Sequence, residues 1–417
     1  MNRRAIDADE VSPRRARVLF VIAVCLIGAN MRISVYAVGP LLELVAAEEA
    51  MASSALGALV SIPLVAWGVV SAFTHSLGTR FGVYRTVSWS LVVLALGTVL
   101  RSLPGPMLNV WLGTAIIGAA LAIGNVLIPT VIRREFSDRI SLMVGLYTGI
   151  MAIVGAIGAG LMVPIAQIEV DGRPLGWRVA LLSTAVVIIP ALVFWVLANR
   201  AGRKASSRAP TPSSPPATSA RRSAWRDRVA WLVAVYMGTQ SASFYILSTW
   251  ISSISIGHGK SSVAAGFDVM AFQITSIVGS LLLPVVFRGR FVRWLPAALP
   301  VLMIPTSVGL VFAEDWTTAL ALVGGVLAGL SLGVGLTLPL IKTVDVPGAS
   351  SLSGMAQSVG YLIAAIGPVM FGALFNVGGS WLLPTAFLVA LGCMQLISGF
   401  VVGDPRRIAL RPSPEKG

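Results

Sequence analysis

A single arginine, Arg32, lies deep within a long apolar stretch near the beginning of the chain. It is ~22 Å along a helix from Arg17, at a rise of about 1.5 Å per residue, and the sequence places no carboxylate at a similar depth. A buried guanidinium is costly without a partner, and its planar fork of donors suits a small anion or a ring nitrogen. We therefore predict that Arg32 binds an anionic or electron-rich ligand. The alternatives are an arginine bonded to backbone carbonyls or water, or one that extends toward Glu43.

Amide and phenol side chains occur at comparable depths in other apolar stretches. Asn30 precedes Arg32 by two positions, and Gln240 lies equally deep in a later stretch. Gln357 and Tyr361 are four residues apart, so they share one face of a helix. Hydrogen bonding between helices is the alternative role for each of these side chains. The candidate ligand-binding residues are Arg32, Asn30, Asn125, Tyr147, Gln240, Tyr245, Gln357 and Tyr361.

The chain lacks the residue patterns of common enzyme chemistries. It contains no G-x-x-x-x-G-K-[ST] phosphate loop and no H-E-x-x-H metal motif. Its two cysteines, Cys25 and Cys393, and its two histidines, His75 and His258, are far apart, so they supply neither a metal site nor a catalytic cluster. We predict no catalytic residues, no metal and no cofactor, and neither an enzyme nor an ATP-driven pump.

The composition is that of a protein covered by lipid. Hydrophobic residues make up 56% of the 417 residues and charged residues 12%, with a mean hydropathy of +0.85, which is more apolar surface than one soluble core can bury. The net charge of +14 could indicate nucleic-acid binding, but the basic residues lie in short loops and form no patch or arm. We expect the lipid bilayer as a partner, and no nucleic acid.

Twelve apolar stretches are long enough to cross about 30 Å of hydrocarbon as helices, which takes about 20 residues. A membrane barrel would instead show alternating segments about half as long. The predicted fold class is therefore all-α integral membrane, with twelve transmembrane helices in two six-helix pseudo-symmetric bundles. The predicted spans are 17–40, 53–74, 85–103, 107–132, 140–166, 179–199, 229–256, 263–287, 294–313, 316–341, 350–375 and 380–403.

The distribution of Lys and Arg predicts how the spans are oriented, because these residues are retained on the cytoplasmic side of short loops. With a cytoplasmic N-terminus, 26 of the 31 fall in cytoplasmic segments, and one, Arg32, lies within a span. We therefore expect a multi-pass protein of the bacterial inner membrane with both termini in the cytoplasm. The four basic residues in outer loops are Arg101, Arg173, Arg178 and Lys260.

Residues 200–228 are rich in Arg, Ser, Pro and Ala and have too little apolar surface to fold. We predict a disordered cytoplasmic linker there, and we expect a monomer. The predicted organisation is a cytoplasmic tail at 1–16, a six-helix bundle at 17–199, the linker at 200–228, a second six-helix bundle at 229–403 and a tail at 404–417.

The two bundles repeat one another along the sequence. A shift of 209 residues places Gly145 on Gly354, and a shift of 210 places Asn30 on Gln240. Parallel repeats of this kind are typical of transporters, whereas a channel would lack two such halves. The fifth and eleventh spans are rich in glycine, which lets helices approach closely in lipid, so we predict that they move against their neighbours. The glycines expected at this moving contact are Gly149 and Gly360.

Four segments resemble a known family: NMRISVYAVGPLL, IGNVLIPTVIRREFSDRISLMVGLYTG, GTQSASFYILSTW and LSGMAQSVGYLIAAIGPVMFG. On these segments the chain resembles the major facilitator superfamily and, within it, the cyanate porter family, which includes cyanate transporters and 2-nitroimidazole exporters. The likeness covers nearly the whole chain outside the tails and linker. It implies a secondary active transporter that moves a small anionic or azole-like solute by rocker-switch alternating access. A multidrug or metabolite efflux permease is the alternative.

One loop departs from the superfamily pattern. The connection between the second and third spans usually reads like GxxxDRxGRR, but here Thr79 stands in the place of the acid. The resemblance still implies a gating role for Arg80, Gly82 and Arg85. Protons are a candidate coupling ion. The titratable candidates, each expected at a solvated end of a span, are Glu43, Asp268 and His75.

Overall fold

A computed structural model describes residues 13–49, 51–136, 139–205, 224–286, 291–343 and 346–404. These residues are almost wholly helical, which confirms the predicted all-α class. The first half contains α1 (Pro13–Tyr36), α2 (Leu42–Glu49), α3 (Ser53–Phe81), α4 (Val83–Ser102), α5 (Leu108–Glu135), α6 (Ile140–Ala166), α7 (Gly176–Ser183) and α8 (Ala185–Ala205). The second half contains α9 (Arg228–Gly257), α10 (Ser262–Val286), α11 (Phe291–Phe312), α12 (Thr317–Lys342), α13 (Val346–Gly378) and α14 (Leu382–Val402).

Two short strands, β1 (Glu169–Val170) and β2 (Arg173–Pro174), form an antiparallel hairpin between α6 and α7. Two 3₁₀ turns, Gly39–Leu41 and Glu314–Trp316, precede α2 and α12. The predicted linker is partly helical, because α8 continues to Ala205. The rest of the predicted linker before residue 224 and nearly all of both predicted tails lie outside the described residues.

Every predicted span coincides with helix. Ten segments of the described chain are long and apolar enough to cross a membrane by length and composition. The other two predicted spans correspond to α3, in which the fully described stretch Ser54–Val70 is apolar, and to α9. The 30-residue α9 carries nine Ser, Thr and Gln residues between positions 239 and 255, and all nine are buried. Because these polar residues face other helices, α9 does not need the hydropathy of a lipid-facing span.

The first predicted span is not one straight helix. α1 ends at Tyr36, the turn Gly39–Leu41 follows, and α2 then continues the chain. Pro40 explains the break, because proline has no backbone N–H and its ring obstructs the preceding helical turn. At the start of the short turn the missing N–H is tolerated. The break brings Gly39 so close to α9 that a Cβ at this position would lie 2.9 Å from the Ser248 carbonyl oxygen.

Helix packing follows the same pattern in the two halves. In the first half α1 packs against α6 and α8, and α5 packs against α3 and α4. In the second half α9 packs against α13 and α14, and α12 packs against α10 and α11. The partners therefore repeat in the order that the sequence shift predicts, with α1 equivalent to α9 and α6 equivalent to α13.

The halves contact each other mainly through α3 with α13 and α6 with α10. We call the side on which α1 begins the terminal side, and the opposite side the distal side. On the distal side, a Cβ at Gly57 would collide with the Pro368 carbonyl oxygen, and Asn376 donates to Ser54 Oγ at 3.2 Å. We define the distal seam as these contacts together with the packing of Gly160 on Met270.

The terminal side lacks comparable contacts in the part of the chain that is described. A Cβ built at Gly145 or Gly149 of α6, or at Gly354 of α13, would meet no other heavy atom within 4 Å. The halves are therefore closed against each other on the distal side and separated on the terminal side.

Candidate functional site

A polar cavity lies between the halves, where α1 faces α9, α12 and α13. Its volume is about 40 Å³. A buried water needs about 10 to 15 Å³, so the cavity has room for roughly three waters or one triatomic anion. The lining residues are Arg32, Tyr36, Met237, Gln240, Ser241, Phe244, Tyr245, Leu332 and Tyr361.

The guanidinium of Arg32 is the cation of this cavity. Its Nη1 donates to the Tyr36 hydroxyl at 2.7 Å and, at a longer 3.3 Å, to the Tyr245 hydroxyl of the other half. Its Cζ also lies over the Tyr36 ring, 5.3 Å from the centroid, in a cation–π arrangement. None of the described lining residues is Asp, Glu or His. The partners of Arg32 there are neutral phenols, so its charge has no counter-ion in the lining.

Two buried donors beside the cavity lack hydrogen-bond partners among the described residues: the Tyr147 hydroxyl and the Trp67 indole N–H. Each of these side chains is 4% exposed. Tyr147 interacts electrostatically with Arg32 and Tyr361, and Trp67 packs edge-on against Tyr361 with ring centroids 5.7 Å apart. Asn125 interacts with the Tyr361 hydroxyl as well. Buried polar groups normally have partners, so these two donors are unsatisfied in this conformation.

Of the four predicted amides, one lines the cavity and three, including Asn125, do not. Gln240 lines it, with Nε2 donating to Ser241 Oγ at 2.7 Å. Asn30 is fully buried and donates to the Val187 carbonyl of α8 at 3.1 Å, which favours its alternative role in joining helices. Gln357 donates to the serine one turn earlier in α13. Asn30 and Gln240, which the shift of 210 residues places on one another, therefore do not both line the described cavity.

Sequence reasoning missed several lining residues, most importantly Tyr36. Tyr36 follows Arg32 by four residues, the spacing that places two side chains on one helical face, so the signal was present. On α9 the lining positions Met237, Gln240, Ser241 and Phe244 follow the same three- and four-residue spacing. Helical periodicity applied around Arg32 and Gln240 would have identified these neighbours.

The predicted gating residues lie outside the cavity. Gly82 joins α3 to α4 with a φ of +86°, a conformation that favours glycine. Arg80 stacks over Phe81 and Arg85 over Trp89. These exposed residues are on the terminal side, where the halves are apart.

The predicted glycine contact is only partly represented in this conformation. Gly149 faces open space, whereas a Cβ at Gly360 would lie 3.1 Å from Met237 Cγ of α9. That contact is within the second half, so it does not join the halves.

The expectation that Asp268 is solvated is wrong. Asp268 is 3% exposed and forms an ion pair with Lys260 at 2.6 Å. It also accepts hydrogen bonds from Ser255 at 2.8 Å and Thr318 at 2.7 Å. These partners come from the end of α9, the following loop and the start of α12, and their convergence could not be seen from the position of Asp268 along the sequence.

Arg101, counted from the sequence as an outer-loop residue, is 1% exposed. Its Nη1 donates to the Ser34 carbonyl of α1 at 3.0 Å. It lies near the end of α4 against α5, where a Cβ at Gly113 would meet the Arg101 backbone. It therefore joins helices within the first half and does not line the cavity.

A polar cavity between two repeated helical halves, closed on one side and open on the other, defines a membrane transporter. The model of the family described as the Major Facilitator Superfamily matches residues 22–368. The chain belongs to this superfamily, and it is a small-solute transporter.

Three relatives match nearly the full chain. It is 33% identical to an uncharacterised transporter, YycB, of Bacillus subtilis (strain 168), over 93% of this chain and 94% of the relative. It is 30% identical to the 2-nitroimidazole transporter of Escherichia coli (strain K12), over 94% and 97%. It is 27% identical to the cyanate transport protein CynX of the same organism, over 91% and 96%. These relatives confirm the resemblance predicted from the four sequence segments.

A solved structure supports the fold independently. The chain is similar to a bacterial homologue of the human lysosomal transporter Spinster, with a TM-score of 0.76 at 14% identity, over 94% of this chain and 97% of that one. At this identity the likeness shows the fold alone.

Proposed function

We propose that the transported solute is a small anion that binds between the phenols of the central cavity and pairs with Arg32. The observation that carries this proposal is a guanidinium whose partners in the described lining are neutral hydroxyls. A charged group inside a membrane protein requires compensation, and an anion would supply it. The cavity volume supports a solute of about three heavy atoms, and the named function of the cyanate-transporting relative is consistent with that size.

An azole-like solute is the second candidate, because the cavity is also rich in aromatic rings. Tyr36, Phe244, Tyr245 and Tyr361 all line it, and such rings can stack on a heterocycle while Arg32 donates to a ring nitrogen or nitro group. The name of the 2-nitroimidazole-transporting relative motivates this candidate. A nitroimidazole exceeds the present cavity, so its binding would require the halves to separate further.

The two candidates differ in how they should stabilise the purified protein. We expect cyanate and the isoelectronic anion azide to raise the melting temperature, whereas neutral acetonitrile, also linear with three heavy atoms, should not. Ligand at 100 times its dissociation constant stabilises the folded state by about 2.7 kcal/mol. Stabilisation by 2-nitroimidazole and not by the anions would support the azole instead. If neither class has an effect, both candidates are wrong.

The transport cycle follows from the asymmetry between the two sides. In the conformation described, the halves are separated on the terminal side and the distal seam is closed, so we infer that a solute reaches the cavity from the terminal side. Rocking of the halves about the cavity would close the terminal side and open the distal seam, exposing the same Arg32 to the opposite side. In this cycle Gly149, which faces open space now, would approach the other half when the terminal side closes. We assign the gating role of Arg80, Gly82 and Arg85 to that closure.

The terminal side is the cytoplasmic side in this proposal, and the membrane is the bacterial inner membrane. The uneven distribution of Lys and Arg supports this orientation. In a variant lacking Cys25 and Cys393, Ser213→Cys should resist a membrane-impermeant maleimide applied to intact cells. The matched variant Ser261→Cys, in the exposed loop between α9 and α10, should react. Reaction at position 213 with protection at position 261 would reverse the assignment.

Coupling to protons would need a titratable group whose protonation changes during the cycle. The described cavity lining offers tyrosines but no carboxylate or imidazole, and Asp268 is engaged outside it by Lys260. The geometry therefore favours a cycle without proton coupling. The charge in the cavity then changes mainly because the charged solute binds and leaves.

A further inference from the structure

We infer that this transporter is an anion exchanger: the empty protein does not return its cavity across the membrane, so that each anion carried one way requires an anion carried back. This inference rests on the proposed function. It adds that movement of an anion in one direction is coupled to movement of an anion in the other. The observation behind it is the charge balance of the cavity described above, where Arg32 faces phenols from both halves and the amide of Gln240 from the second half.

The first step concerns where Arg32 lies when the halves rock. Tyr245, its longer hydrogen-bond partner at 3.3 Å, belongs to α9 of the second half, whereas Tyr36 belongs to its own helix. Arg32 therefore lies at the interface between the halves, where rocking switches the access of the cavity from one side of the membrane to the other. In the described conformation it is half-buried, so part of its surface is accessible to water.

The second step concerns the intermediate in which both sides are closed. Closing the terminal side while the distal seam is still closed removes most of this water. An empty cavity would then hold a guanidinium among neutral groups, and an uncompensated buried charge is strongly unfavourable. A bound anion cancels that charge and bonds to the same donors. The loaded protein therefore crosses the intermediate readily, whereas the empty protein does not.

The third step is that two described acids outside the cavity are already engaged. Asp268 pairs with Lys260 and accepts from Ser255 and Thr318. Glu49 pairs with Arg178 at 2.6 Å on the periphery of the first half. Neither carboxylate can neutralise Arg32 without breaking these contacts. Because none of the described lining residues is an acid, a bound anion is the compensating charge that the site itself can take up.

Exchange is distinguished from net transport in liposomes that contain the purified full chain. Uptake of radiolabelled cyanate is measured into liposomes loaded with unlabelled cyanate and into liposomes loaded with impermeant gluconate. Potassium and valinomycin hold the membrane potential at zero in both, so that charge accumulation cannot limit the gluconate sample. Protein-free liposomes give the passive rate, which is subtracted.

We expect uptake into the cyanate-loaded liposomes to exceed that into gluconate-loaded ones by more than about tenfold, because an uncompensated charge raises the barrier well beyond the increment that changes a rate tenfold. Equal rates would overturn the exchange inference while leaving anion transport intact. If neither sample exceeds the passive rate and cyanate does not stabilise the protein, the proposed anion function itself fails, and the exchange inference fails with it.

A reporter at the distal seam tests the same idea without measuring flux. Ser54→Cys, in a variant lacking the native cysteines, should react slowly with maleimide from the distal side when the protein is empty and faster when cyanate is present. Adding Gln240→Glu places a carboxylate in the cavity lining and should speed the reaction of the empty protein. An unchanged rate on adding cyanate to the parent reporter would contradict the inference, whether or not the Gln240→Glu variant folds.

Discussion

Replacing Arg32 with alanine is expected to abolish anion binding while the protein remains folded and inserted. The variant loses the one cation of the described cavity lining and with it the charge-assisted hydrogen bonds that fix a small anion. It should keep or gain thermal stability in the absence of ligand, because a costly buried charge has been removed. Calorimetric affinity for cyanate and melting temperature, measured in the same preparations, check both parts.

The conservative variant Arg32→Lys separates charge from geometry. Lysine keeps the charge but lacks the planar fork, so the binding free energy should weaken by ~1.5 to 3 kcal/mol, the range for a hydrogen bond to a charged group. Arg173→Ala is the control variant, because it removes an arginine from the exposed hairpin after α6. It should leave the affinity for cyanate unchanged. If Arg32→Ala binds cyanate as tightly as the parent, or unfolds, the arginine is structural and the binding site lies elsewhere.

Replacing Gly57 with leucine is expected to stop transport by preventing closure of the distal seam. A Cβ at this position overlaps the carbonyl oxygen of Pro368 in the other half, and backbone cannot move aside as a flexible side chain would. The halves must therefore separate on the distal side, which favours the opposite conformation. Transport should fall by about 5-fold to 150-fold, since overpacking costs ~1 to 3 kcal/mol and each 1.36 kcal/mol corresponds to a factor of about ten.

Gly149→Leu is the matched variant on the other side. Its side chain would enter open space in the described conformation, so folding should be unaffected, while closure of the terminal side should be hindered. Cysteine reporters should show the distal side more accessible in Gly57→Leu and less accessible in Gly149→Leu. In Gly360→Leu the new side chain would contact Met237 within the second half. This variant should therefore lower the melting temperature more than it changes the accessibility of either side. Normal flux in both Gly57→Leu and Gly149→Leu would refute the rocking model.

The helices could be predicted from the sequence because lipid imposes a simple requirement on every span: enough apolar residues to cross it. The break in the first span was equally visible in principle, since Pro40 cannot continue a helix. The polar α9 was recognised only because its apolar residues continue between the serines. Which face of α9 is buried depends on its packing against α13 and α14. The sequence of α9 alone does not predict which helices pack against it.

The sequence predicts a cavity residue where a charged side chain lies in an apolar stretch. It predicts the other residues of the cavity less well. Arg32 stands out because a charge in an apolar stretch needs an explanation. Asn30 carries the same kind of signal, yet its partner is a backbone carbonyl of α8 that no side-chain pattern reveals. Asp268 was misjudged for the corresponding reason, because the loop and helix ends that bury it converge only in the folded chain.

The buried polar residues of α9 also bear on how the chain is made. A helix leaving the ribosome is sorted into the membrane by its own hydropathy, and α9 is outside the ten described segments that meet that requirement unaided. Its main packing partner, α13, begins only at Val346, so α9 is synthesised well before the surface that covers its Ser, Thr and Gln side chains. During that interval these side chains need temporary partners, such as α10, the earlier helices or the insertion machinery. The helix that supplies half of the cavity lining is thus the one whose entry into the membrane depends most on its neighbours.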